Sequence, residues 1–200
     1  MNPRDIFLRA LRREPTPRHA TGSATSIATI DLMKKTGFSF PEAHTDPEVM
    51  AGLAEAGCTV LGYDNVMPLF SVCHESAAIG CVTDWGAVDR MPDCRGGKYK
   101  VGDDIVIPPD FLSHPSCRVP LAAISILKKR LGGDAAVVGK VFGPWTLGYH
   151  VFGVEEFLIN TILDPDSVKR SMETLKEVTV AFALAQIEAG ADALTLGGHA

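Results

Sequence analysis

Apolar positions along the chain alternate between helical spacing and short continuous runs. Ile6, Phe7, Ala10 and Leu11 share one helical face, and Asn2-Pro3 offers a cap with proline at the first helical position. Residues 20–26 are small and polar, which reads as a short strand entering a loop. Ser26 then caps a helix through Leu32 and Met33 that stops at Gly37, and Thr45-Asp46-Pro47-Glu48 opens another that Gly57 closes. Residues 59–63 predict a short apolar strand ending in Asp64-Asn65, residues 71–80 a helix, and 81–85 an extended segment.

Between about 89 and 120 the texture becomes irregular, with Gly96, Gly97, Gly102, Pro108 and Pro109 around one alternating run over 98–106. That run predicts a hairpin within an excursion rather than a linker. Regular alternation resumes with a helix over 120–131 and the clearest buried strand, 135–142, interrupted by Gly139 and Lys140. A long amphipathic helix starts at Asp164-Pro165 and ends at Gly190, and residues 193–196 form a further strand. Strands separated by helices specify a parallel sheet in an α/β fold. Roughly four strands stand against the eight of a closed (β/α)8 barrel, and no phosphate-binding glycine fingerprint marks a doubly wound sheet. The chain stops at Gly197-Gly198-His199-Ala200 directly after a strand, so the expectation is an N-terminal portion of a single barrel domain spanning residues 1–200.

Composition narrows the class. Charged residues make up 22 % and the net charge is −5, which argues against a dedicated nucleic-acid or anionic-membrane surface. No apolar stretch is long enough to span a bilayer and the N-terminus lacks a signal-peptide layout. The five cysteines include no CxxC pair, which fits reduced thiols and a cytoplasmic location.

Ligands of parallel α/β proteins meet the carboxyl ends of strands. Those ends, as predicted, carry Ser23 and Thr25, Asp64 and Asn65, Gly143-Pro144-Trp145-Thr146, and His199. Asp64 there is either an acid, base or anchor, or a cap for the next turn. His199 is either a donor, acceptor or metal ligand, or a polar loop residue. Trp145 reads as packing before chemistry, and Tyr149 and His150 face either a pocket or solvent. Cys73-His74 with Cys81, and His114 with Cys117, are the close groups of soft ligands, and neither has structural-zinc spacing.

These same residues resemble the uroporphyrinogen decarboxylase superfamily: Gly143-Pro144-Trp145-Thr146-Leu147, Tyr63-Asp64-Asn65-Val66 and Leu196-Gly197-Gly198-His199-Ala200. Ile30-Asp31-Leu32-Met33 and the run from Phe40-Pro41-Glu42-Ala43-His44 to Met50 are similar to its methylcobalamin:coenzyme M methyltransferase branch. The resemblance implies a (β/α)8 barrel and transfer of a methyl group between a methylated cobamide on a corrinoid protein and a small acceptor thiol or methyl donor. By the same resemblance Asp64 and His199 are catalytic candidates, and Ser23, Thr25, Asn65, Trp145 and Tyr149 are substrate-binding ones. Tyr149 stands one residue from the family's place. The branch also implies zinc, with ligands expected beyond residue 200, so that the chain alone is expected to be inactive. The rival implications are porphyrin-pathway decarboxylation and a catalytically empty barrel that binds within a corrinoid complex. No arginine lies between Arg18 and Arg90, where the decarboxylase branch carries its carboxylate-binding arginines. A substrate with many carboxylates needs such bidentate forks, so the methyltransferase branch is preferred.

Overall fold

The computed structural model describes residues 1–96 and 98–198, with Arg95 described by its backbone alone. Helix α1 (Pro3–Leu11) forms as the pattern predicts, the Asn2 side chain accepting from the Asp5 amide at 2.8 Å. Residues 20–26 make no ladder strand of their own. Helix α2 (Ile30–Thr36) is capped by Thr29 rather than Ser26 and ends at Gly37, whose φ of 76° suits a residue without Cβ. Asp46 caps α3 (Pro47–Thr59), which continues through Gly57.

That longer helix displaces the next strand. Thr59 is helical, the chain turns through Gly62, and β1 is Asn65–Val66. Residues 66–70 stay buried, and the chain then reaches the short helix α4 (His74–Ala78). Strands β2 (Val82–Asp84) and β3 (Asp93–Arg95) form an antiparallel hairpin. The hairpin therefore precedes the alternating run at 98–106, which forms no strand among its described residues. The alternation failed as a signal because the small β2–β3 pair is set by the turn between them, where Gly86 (φ 84°) takes a conformation that side chains rarely adopt.

Helix α5 (Pro115–Leu131) starts five residues before the predicted 120, with Pro120 inside it, and leads into β4 (Ala136–Phe142). Helices α6 (Pro144–Phe152), α7 (Val154–Leu163) and α8 (Pro165–Glu188) follow, and β5 (Ala193–Gly197) closes the described chain. The main sheet is parallel with order β1-β4-β5. Asn65 pairs with Ala136, and Phe142 pairs with Gly197. Hydrophobic residues of α3, α5, α8 and β4, among them Leu53, Ile124, Leu127, Val137, Val178 and Phe182, fill the core on one face of this sheet.

Side chains on β4 alternate. Gly139 faces α8, and a Cβ there would meet Gln186 Oε1 at 2.4 Å. Val138 faces the other way, lining a groove with Phe7, Ser23, Ala24 and Thr195. Lys140 shares that inner face. Past Val66, the chain of β1 no longer pairs with β4. Side chains fill the gap: Gln186 accepts from the Lys140 amide and donates to its carbonyl, both at 2.8 Å. Glu75 accepts from the Phe142 amide at 3.0 Å.

Candidate active site

Register decides which end of the sheet each candidate occupies. Asn65 lies beside Ala136, the first residue of β4, so Asp64 sits at the amino end of the sheet and not the carboxyl end. The expected position is corrected, and the cause is the helical extension of α3 to Thr59. Asp64 is 1 % exposed and fully engaged. Both terminal nitrogens of Arg18 donate to it at 2.7 Å, and the Thr21 amide donates at 2.8 Å. The Arg18 hydrogen bonds outweigh burial and, with Thr21, hold the carboxyl below its ordinary range. This carboxylate fastens the segment before α2 to the base of the sheet.

Asn65 has a similar task. Its Oδ1 accepts from the Ser23 amide at 3.0 Å, and its Nδ2 donates to the Ser23 carbonyl at 2.9 Å. The carboxamide thus replaces ladder bonds that residues 20–26 do not form. Ser23 Oγ in turn accepts from the Thr25 amide. From Thr21 beside Asp64 the segment climbs along the inner face until Thr25 Oγ1 accepts from Lys140 Nζ at 3.0 Å. Of the early candidates, Thr25 alone is placed beside a charged group of the inner face by a printed contact of its side chain.

The carboxyl end is built from other residues. Glu75 and His74 follow the buried run after β1, and both are fully buried. Glu75 Oε1 holds the Phe142 amide, whereas Oε2 has no partner among the described residues. Burial is the dominant influence and pushes this carboxyl up to about 7, against the pull of the Phe142 hydrogen bond. Burial likewise drives His44 down to about 4, and burial with the charge of His44 drives His74 down to about 3. Neither imidazole has a hydrogen-bond partner among the described residues, and Trp85 lies against both rings.

After β4, Gly143 starts α6 with Pro144 at its first position. Trp145 Nε1 donates to Tyr149 Oη at 2.6 Å, and both rings meet Phe157 edge-on. The pair therefore braces α6 against α7, in keeping with the packing reading of Trp145. His199 lies outside the described residues. Lys140 and Glu75 carried no weight in the sequence reading. Their signal was available: a lysine in an otherwise apolar strand and an acid directly after a buried run.

The soft-ligand groups separate. His114 caps α5, with Nδ1 2.7 Å from Ser116 Oγ. Cys73 and Cys81 contact Cys94, and these hydrogen bonds and then burial push both thiols up. Among the described residues no group of three or more His, Cys, Asp or Glu side chains is placed to hold a metal ion. The residues described here thus do not themselves build the zinc site that the resemblance implies.

A parallel α/β sheet with its anchoring groups at the amino end and uncompensated polar groups at the carboxyl end defines a barrel-type enzyme scaffold. Residues 2–198 match the uroporphyrinogen decarboxylase family, and the chain belongs to it. It is 32 % identical over 191 residues to the methylcobamide:CoM methyltransferase MtaA of Methanosarcina barkeri, covering 95 % of this chain and 56 % of that protein. It is 31 % identical over 195 residues to the methylcobamide:CoM methyltransferase MtbA of Methanosarcina acetivorans, covering 97 % of this chain and 57 % of that one. A solved methyltransferase from Methanosarcina mazei superposes with a TM-score of 0.94 at 30 % identity, covering 99 % of this chain and 59 % of its own. The fold is therefore α/β, a partial barrel of this type, and the chain spans little more than half the length of these relatives. Among the described residues no helix is long and apolar enough to cross a membrane.

Proposed function

We propose that the chain is the N-terminal part of a corrinoid-dependent methyltransferase, which moves a methyl group between a methylated cobamide, carried on a corrinoid protein, and a small thiol. The observation that carries this reading is the likeness to methylcobamide:CoM methyltransferases along nearly the whole chain, together with the methyltransferase superposition. In that reaction a carbon–sulfur bond forms and the cobalt–carbon bond breaks. Both electrons of the broken bond stay on cobalt, and the thiol proton leaves to a base. Zinc, where the whole enzyme carries it, supplies thiol deprotonation. Its ligands are not among the residues described here, so no step is routed through it.

This part of the chain contributes one wall of the site. The inner face of β4 and the carboxyl ends of β1, β4 and β5 orient the small substrate, and Glu75 fixes the last amide of β4. Decarboxylation of a polycarboxylate is the weaker reading, because Arg18 commits its fork to Asp64 at the other end of the sheet. The test is a chimera in which residues 1–198 replace the matching part of the Methanosarcina barkeri relative. Demethylation of methylcobalamin with 2-mercaptoethanesulfonate as acceptor is expected. A chimera that melts cooperatively but transfers no methyl group, or one that consumes uroporphyrinogen, overturns the reading.

A further inference from the structure

Lys140 is the fifth residue of β4 and stands on the inner face, away from the core helices. It forms no ion pair among the described residues. Nζ donates to Thr25 Oγ1 at 3.0 Å and lies 4.9 Å from the centre of the Phe142 ring. Burial pulls the ammonium below its ordinary pKa, and the nearby Glu75 carboxyl opposes that pull. Glu75 is a poor counter-charge: it titrates at about 7 and is hydrogen-bonded to Phe142. A half-buried cation without an anion is costly unless something supplies the charge. Its backbone is meanwhile held rigidly, both polar atoms being bonded to Gln186.

We propose that Lys140 and Thr25 form a subsite for the singly charged oxyanion head, sulfonate or carboxylate, of a small organic acid. Size and charge both fit. One ammonium and one hydroxyl match one negative charge, whereas a phosphate dianion would be left half-neutralised. Phe142, two residues further along the strand on the same face, offers an apolar surface for the short carbon chain of such a ligand. The tail then runs toward Gly143 and the carboxyl end of the sheet, where the reacting group would sit. That the acid is the methyl-accepting thiol rests on the methyltransferase reading; the subsite itself does not.

The test is a titration of the 200-residue chain with ethanesulfonate, propionate and the uncharged 1-propanol, followed by amide chemical shifts. Saturable shifts at Thr25, Lys140 and Phe142 are expected with the two anions and not with the alcohol. Tighter binding of ethanesulfonate assigns a sulfonate head, and tighter binding of propionate a carboxylate. Lys140→Met should weaken the binding about tenfold, since one charge-assisted hydrogen bond is lost, while Lys140→Arg should stay within about threefold. Thr25→Val should weaken it by about threefold. Equal affinity in Lys140→Met, or anion shifts confined to other residues, overturns the proposal. Melting curves confirm that each variant is folded, and Lys140→Met removes no ion pair on which folding depends. The titration contains no methyl donor, so binding at Lys140 without methyl transfer by the chimera refutes the function and spares the subsite. Transfer without binding at Lys140 does the reverse.

Discussion

At the amino end of the parallel sheet, Asp64 and Asp192 are buried but saturated with donors; at the carboxyl end, Glu75 and His74 are buried with polar atoms that no described residue satisfies. Asp192 mirrors Asp64. It accepts from Arg4 at 2.7 Å, from Lys128 and from the Val137 amide at 3.0 Å. Burial is the largest influence on Asp192 and raises its pKa, yet the Arg4 and Lys128 hydrogen bonds overcome it and the net shift is downward. Glu75 has one backbone amide instead of cations, and burial wins. Equal burial thus yields opposite protonation preferences. The saturated end stabilises the fold, and the unsaturated end keeps groups whose charge state can respond to a ligand.

The largest expected break of this contrast is Asp192→Ala. It strands Arg4 and Lys128 near the sheet and should cost about 3 kcal/mol in denaturant unfolding. Anion binding at Lys140 should be unaffected. Asp64→Asn should likewise lower the melting temperature and spare that binding, and the reverse pattern would return Asp64 to the active site.

Glu75→Gln should act in the opposite sense. A carboxyl raised in the folded state contributes stability below its unfolded pKa and loses it as pH rises through about 7. The variant should therefore gain on the order of 2 kcal/mol over the parent at pH 8 and little at pH 5, as seen in paired melts. A gain independent of pH would mean that Glu75 does not titrate in this window.

The two histidines sharpen the same point from the acidic side. Their folded pKa values of about 4 and about 3 lie below the ordinary value, so neutral imidazoles favour folding. Stability is complete above about pH 6.5 and is lost as pH falls toward these values. His44→Leu should remove part of this loss, on the order of 1 to 2 kcal/mol at pH 5. An unchanged pH slope would show that His44 is solvated in the folded state. Asp46→Ala provides the scale for a group at neither end. Loss of its cap on α3 should cost about 1 kcal/mol at any pH above the carboxylate range.

Strong periodicity made α1, α8, β4 and β5 legible, because each buries one apolar face or a continuous apolar run. Val60 and Leu61 misled: an apolar pair after a glycine reads as a strand, yet here it completes the turn after α3. That slip of a few residues moved Asp64 to the wrong end of the sheet. The site was less legible still. Glu75 and Lys140 are unremarkable letters until the separation of β1 from β4 gives them positions. The use of side chains as ladder partners leaves no periodic trace.

That separation also changes what the amides of β4 report. In an ordinary strand, hydrogen exchange at every position follows the opening of neighbouring strands. Here the Lys140 amide is sheltered by a side chain of α8 and the Phe142 amide by one of α4. The outer half of β4 can therefore lose protection while its pairing with β5 remains intact. A helix that lifts by one residue's reach would be read, in exchange, as a strand that has frayed.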